Sequence, residues 1–403
     1  MKTKIKNKQE RGITLVALVV TIVVLLILAG ISLNLVLGQN GIISRAQDAR
    51  NQTTEGQVNT EKAVNALTDE MEDLISENEN SGNGGNSGGG NSGGSESKVD
   101  GVSIPSGFVY VGGTKASGLV ISDNAADKEK YKGQTTVGTD LVGNQFVWIP
   151  VENIADYKRT AYSCQVSTGT TDSTTKSEQI KYSNSVSYYF KEALPADEKT
   201  SVETNKGFYI GRYEAGDQES TNSTKLRASG ASTSNTITVK AGQAPYNYIK
   251  YTDAKKLAEG FSTKQGYTSV KSKLVSSYAW DTAIAFIQKT NSDYGNSSEE
   301  GNYDNSPTFT YTGIADTEKN KQTKANGTDT LIPTGQTTAV NNIYDMGGNV
   351  NEWTTESCSD TSSPCTSRGG SCYGNFANIP AGYRCYFSDD AYASIGFRCT
   401  LYL

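Results

Sequence analysis

The chain of 403 residues has no histidine and only three methionines, three tryptophans and eight prolines. Imidazole is the commonest general base and the commonest transition-metal ligand, so both kinds of chemistry lose their usual residue at once. Basic charge is also short. Lys and Arg number 37 against 43 Asp and Glu, a net charge of -6 that argues against a nucleic-acid partner. Hydrophobic residues make up 35%, which is low for a chain long enough to hold at least two units. One absence is local. Between Arg368 and Arg398 the sequence RGGSCYGNFANIPAGYRCYFSDDAYASIGFR contains no Lys, Glu, Gln, Met or Trp. Codons ending in a pyrimidine cannot encode those five residues. Randomising the adenines of AAY codons would leave Asn, Tyr, Ser, Asp, Gly, Ala, Cys, Phe, Ile and their like, which is the kind of residue found here. Seven aromatics lie in this stretch: Tyr373, Phe376, Tyr383, Tyr386, Phe387, Tyr392 and Phe397. Rigid amphipathic tyrosines among small polar residues are the chemistry of a paratope.

The long apolar run that the rest of the chain lacks stands at its start. Residues 1–12 carry Lys2, Lys4, Lys6, Lys8 and Arg11, and no charge follows until Arg45. A span needs about 20 apolar residues, and a basic leader keeps the N-terminus inside. The sequence predicts a membrane helix over 13–37, an amphipathic stalk over 38–76 and a flexible Gly/Ser/Asn linker over 77–98. In the stalk, Val64, Leu67, Met71, Leu74 and Ile75 recur at three- and four-residue spacing. An outward domain follows over 99–403. Its short apolar runs alternate with turn residues, and only Thr252–Glu259 and Ala279–Thr290 look helical. An α+β domain is expected. The six cysteines are an even number in a chain that reads as exported. Cys358 and Cys365 are close enough to close a small loop, while connectivity stays open.

Two resemblances sharpen this picture. Arg11-Gly12 joined to Ile13-Thr14-Leu15-Val16 resembles the leader and first helix of type IV pilins and pseudopilins. It implies cleavage by a prepilin peptidase between Gly12 and Ile13, methylation of the new N-terminus, and pilus subunits as partners. Ala17 stands where that family carries a glutamate used in filament assembly. In the outer domain, QFVWIPV (145–151), GFYIGRYEAG (207–216), APYNYIKYTDAKKLAE (244–259), IYDMGGNVNEWT (343–354), RGGS (368–371) and GFRC (396–399) occur in order. Together they resemble the formylglycine-generating-enzyme (sulfatase-modifying factor) family, a variant of the C-type lectin fold. Its enzymes hold copper on cysteines three and eight residues after the RGGS serine. Here those positions are Gly374 and Ile379, so copper-dependent oxidation is not expected.

The RGGS and GFR boundaries also resemble those of variable proteins of diversity-generating retroelements, whose last segment is rewritten by adenine-directed mutagenesis. That resemblance implies a ligand-binding surface in 372–395, with contacts at Tyr373, Gly374, Asn375, Phe376, Asn378, Tyr383, Tyr386, Phe387, Ser388, Asp389, Tyr392 and Ser394. Gly369, Gly370, Arg384, Gly396, Phe397 and Arg398 are expected to hold the scaffold. The family loop further implies Ca2+ on Asp345, Glu352 and the backbone carbonyls of Gly348 and Val350. Without a metal, Asp345 and Glu352 would instead bond backbone amides, and Asn349 is expected as a buried hydrogen-bonding residue. The function expected is surface recognition of a protein or cell-surface ligand; the alternative is a minor pilin with a structural lectin-like head.

Overall fold

The computed structural model describes residues 97–403 except 164, 185–186, 220–225, 232, 234–235, 297–300, 314–320 and 374–378. The leader, membrane helix, stalk and most of the linker therefore lie outside the described residues, as do Gly12 and Ile13. Among the described residues no helix is long and apolar enough to cross a membrane.

The described chain begins with β1 (Ser97–Val99), β2 (Val102–Ile104), β3 (Val109–Gly112), β4 (Val120–Ser122), β5 (Gln145–Pro150), β6 (Gln165–Thr171), β7 (Glu178–Tyr182) and β8 (Phe190–Lys191). Its middle holds α1 (Ala196–Asn205), β9 (Gly207–Gly211), β10 (Gly216–Asp217), β11 (Ile237–Thr238), α2 (Tyr251–Gln265), β12 (Lys271–Leu274) and α3 (Ser277–Ile287). It ends with β13 (Phe309–Thr312), β14 (Lys321–Lys324), β15 (Asn351–Cys358), β16 (Cys365–Arg368), β17 (Arg384–Phe387), β18 (Ile395–Phe397) and β19 (Cys399–Tyr402). The domain is mostly β with few helices.

A six-stranded antiparallel sheet runs β12-β19-β9-β5-β4-β3. It is buried on both faces, which is why β5 reads as a continuous apolar run instead of an alternating one. Phe146 and Trp148 join Tyr209 and Leu401 on the face covered by Ala254, Ala258 and Phe261 of α2. Val147 and Ile149 join Phe208 and Ile210 on the face covered by Val202 of α1 and Ala279, Trp280, Ala283 and Ile284 of α3. The second sheet runs β17-β16-β15-β8-β7-β6, with β18 parallel to β15. Hence β17, inside the odd segment, is an edge strand, and β18 at the segment's end is paired within the sheet.

The expected helices lie within or across α2 and α3. Helix α1 was not expected: ADEKTSVETN is almost wholly polar, and only Glu198, Ser201 and Val202 are buried. A single buried apolar side chain leaves no helical period to read. The small loop that Cys358 and Cys365 are close enough to close is not closed by a disulfide. Cys358, Cys365, Cys372, Cys385 and Cys399 are free thiols. Cys365 faces Ser357 across the ladder, and successive residues of a strand point to opposite faces. Cys358, one residue further on, therefore points away from Cys365.

Candidate ligand-binding surface

The segment is anchored by arginines whose partners are buried carboxylates. Arg368, at the end of β16, donates from Nη2 to Asp281 Oδ1 at 2.5 Å and to the Gly382 carbonyl at 3.0 Å, and from Nε to the Tyr383 carbonyl at 3.0 Å. Arg384, opening β17, donates from Nε to Glu356 Oε2 at 2.8 Å and from Nη2 to Asp281 Oδ2 at 2.6 Å. Its Nη1 reaches Gln165 Oε1 at 2.7 Å and the Thr160 carbonyl at 2.9 Å. Arg159 Nε adds a bond to Glu356 Oε1 at 2.9 Å. Arg368, Arg384, Asp281 and Glu356 are at most 1% exposed. Burial works to raise the Glu356 carboxyl, but Arg384, Arg159 and Arg368 together hold it down to about 2.

The far end is held differently. Arg398 donates to both oxygens of Glu352, at 2.9 Å from Nε and 2.6 Å from Nη2, and to the Gly211 and Tyr344 carbonyls at 2.8 Å each. Burial raises Glu352 to about 7 against the pull of Arg398. Glu214 is pushed well above the ordinary carboxylate range by burial and by Asp345 and Glu352. Phe397 and Ile395 are fully buried. At the near end, Gly369 and Gly370 have φ of 94° and 69°. A Cβ on Gly370 would lie 2.4 Å from the Ile379 carbonyl oxygen, so the turn admits only glycine.

A family model for the sulfatase-modifying factor enzyme 1-like domain (FGE-sulfatase) matches residues 102–402. The chain belongs to that family. No curated protein matches it. Three solved structures show low-level likeness. CarF is 16% identical, with 49% of this chain and 87% of that one covered and a TM-score of 0.31. Treponema denticola variable protein 1 is 15% identical, with 66% and 98% covered and a TM-score of 0.32. PvdO from Pseudomonas aeruginosa is 16% identical, with 66% and 98% covered and a TM-score of 0.34.

The family's metal positions can be compared with the geometry. Glu352 is engaged by Arg398 through both oxygens. Asp345 accepts from the Gly335 N–H at 2.9 Å and the Thr337 hydroxyl at 2.6 Å. The Gly348 N–H donates to the Gly369 carbonyl at 2.8 Å, and the Val350 N–H to Glu214 Oε1 at 3.1 Å. Among the described residues no group of three or more His, Cys, Asp or Glu is spaced to hold a metal. As arranged, this set does not fit a calcium ion, because a guanidinium and protein donors already engage its carboxylates. Asn349 is fully buried and bonded at both ends of its amide, to Glu214 and Ile332 and from Asn302 and Ile332. For copper, Gly374 lies outside the described residues and Ile379 is half-buried. Cys372 is fully buried, and burial pushes its thiol up, away from the thiolate a soft metal needs.

Gly374, Asn375, Phe376 and Asn378 lie outside the described residues. The other expected contact residues do not share one face. Tyr373 is half-buried against Leu331, Val350 and Cys372. Tyr383 lies 5.4 Å from Tyr182, and Tyr386 lies 5.7 Å from Tyr188 and 6.3 Å from Phe190, measured between ring centroids. On the other side of β17, Phe387 and Tyr392 lean on Trp353 at 6.0 and 6.2 Å and on each other at 5.1 Å. The Tyr392 hydroxyl meets Ser388 Oγ at 2.6 Å. Asp389 accepts from the Thr252 N–H at 3.2 Å. It thereby caps α2, whose own N-cap residue Lys250 provides no side-chain bond. The Ser394 carbonyl accepts from the Asn351 N–H at 2.7 Å. Phe387, Asp389 and Tyr392 thus buttress the fold.

Sequence reasoning missed Asp281, Glu356 and Arg159 as anchors, and Tyr182 and Tyr188 as aromatic neighbours. Asp281 carried a signal: it is the one charge in the apolar helix SYAWDTAIAFI. A charge at such a position must be paired. Tyr182 and Tyr188 carried none, since nothing local marks a contact across about 200 residues.

Proposed function

We propose that this chain is a membrane-anchored display protein that binds its ligand through a variable segment, 372–395. One observation carries the reading: both boundaries of the segment are locked by fully buried arginine–carboxylate bonds, while Tyr373, Tyr383 and Tyr386 between them stay half-exposed. A frame fixed by charge pairs keeps its path while exposed side chains change, because surface substitutions cost within about 0.5 kcal/mol each. The composition of the segment matches products of adenine-directed change, and its aromatics are hot-spot types.

The rest of the reading follows from the N-terminal sequence. The chain sits in the cell membrane by one pass, with the outer domain extracellular, and enters through prepilin-type processing at Gly12–Ile13, with a pilus as one setting. The ligand is a protein or cell-surface molecule. N-terminal sequencing of membrane-extracted protein is expected to start at Ile13.

The deciding test is sequencing this gene from many isolates of the source population. Differences are expected in the first two positions of codons within 372–395, with Arg368, Gly369, Gly370, Arg384 and Arg398 unchanged. A nearby reverse transcriptase and an adenine-rich near-copy of the 3′ end are expected beside it. Variation spread evenly along the gene, with no such copy, would leave the structural pilin head as the better reading.

A further inference from the structure

Tyr188 stands outside the segment, in the connection between β7 and β8, yet its ring is 5.7 Å from Tyr386. It is one of four exposed large apolar side chains among the described residues, at 38%. Its backbone is not loose. The neighbouring Tyr189 N–H donates to Ser359 Oγ at 3.0 Å, and the Ser359 N–H returns a bond to the Tyr189 carbonyl at 2.9 Å. Beneath it, Phe190 packs on Tyr386 from the same side, and the Tyr182 hydroxyl donates to the Arg384 carbonyl. Tyr182, Tyr188, Tyr383 and Tyr386 therefore form one aromatic cluster around Phe190, which is itself buried. Three of its five rings are encoded outside 372–395. An aromatic cluster that leaves Tyr188 38% exposed offers the kind of surface that marks an interaction site.

The patch also has a sign. Asp360 follows Ser359, which is bonded to the backbone of Tyr189 in both directions, and it is half-exposed at the rim beside Tyr188. Tyrosine faces beside carboxylates attract a cationic side chain, by about 0.5–1 kcal/mol for each exposed cation–π contact.

We infer that Tyr188 is a fixed anchor of the recognition surface, placed to receive a lysine or arginine side chain of a protein ligand whatever the variable segment carries. The inference rests on the reading of 372–395 as the ligand face. It divides the surface into a varied half, which selects the partner, and a constant half, which supplies a generic contact. A constant aromatic contact raises the fraction of variants that bind anything, since each variant then needs fewer contacts of its own.

The test uses two cell-displayed libraries of the full chain, diversified at Tyr373, Tyr383, Ser388 and Ser394, one with Tyr188 and one with Tyr188→Ser. Both are selected against lysozyme, a basic protein, and against an acidic protein of similar size. Binders to lysozyme are expected mainly from the Tyr188 library. Reverting them to Tyr188→Ser is expected to weaken each about tenfold, whereas Tyr188→Phe keeps the affinity, and the melting temperature stays within a degree or so. Binders that lose less than about twofold on Tyr188→Ser would overturn the anchor and leave the variable face standing. Binders raised only against the acidic protein would overturn the cationic preference. If neither library yields a binder, the reading of the segment itself fails.

Discussion

Asp281 and Glu356 sit among three guanidiniums, of Arg159, Arg368 and Arg384, whereas Glu352 shares Arg398 with Glu214 and Asp345. The two clusters brace opposite ends of one segment, and all of these carboxylates are buried. In the first, positive charge is in excess, so Glu356 stays ionised down to about 2. In the second, negative charge is in excess, so Glu352 rises to about 7 and Glu214 is pushed well above the ordinary carboxylate range. Burial alone raises a carboxyl in both places; the count of arginines decides the outcome.

The comparison is most severely tested by removing one acid from each cluster. Asp281→Ala leaves Arg368 and Arg384 buried without a shared partner, and is expected to cost about 3–5 kcal/mol in urea unfolding. Glu214→Gln replaces a carboxyl that burial pushes well above the ordinary range by a neutral amide, and is expected to cost less, about 1–2 kcal/mol for the one N–H donor that the amide leaves unpaired. Equal losses would erase the distinction between the clusters.

Titration separates them next. Glu356 has a folded pKa below its unfolded value, so its stabilisation is present above about pH 4.5 and is lost as pH falls toward 2. Glu352 has a folded pKa above its unfolded value, so its stabilisation is present below about pH 4.5 and is lost as pH rises through about 7. Each limb is worth on the order of 3 kcal/mol at full extent. The melting temperature is expected to peak near pH 5, roughly between the two windows. Glu214→Gln is expected to flatten the alkaline limb and leave the acid limb. A plateau extending from pH 5 to 8 would mean that the second cluster is compensated by charges this reading leaves out.

Within the segment, the two sides of β17 are expected to respond unequally. Phe387→Ala removes a half-buried ring from Trp353 and Tyr392, at about 2 kcal/mol. Tyr386→Ser is expected to cost about 0.5 kcal/mol, as a surface change does. Thermal melting of the two variants ranks them; a reversed order would place the scaffold on the side assigned to the ligand. Smallest of all is the effect of chelation. With Glu352 on Arg398, excess EDTA is expected to leave the melting temperature unchanged, and a drop restored by Ca2+ would show that the ion can displace that pairing.

The sequence by itself determined a good deal. Short apolar runs marked β5 and β9 as strands, and the helix expected over Thr252–Glu259 lies within α2. Gly369 and Gly370 marked a turn that only glycine can follow, and the biased composition of 372–395 picked out the unusual segment. All of these are local properties, set by neighbours within one or two turns of chain. Which charges pair was decided only by the tertiary structure. Arg384 draws its partners from Glu356, Asp281, Gln165 and Thr160, at separations of 28, 103, 219 and 224 residues. The same holds for Tyr188 against Tyr386, and for Asp389 capping a helix 137 residues away. No periodicity in a single sequence encodes such pairs, because they arise only when elements distant in the chain pack against one another.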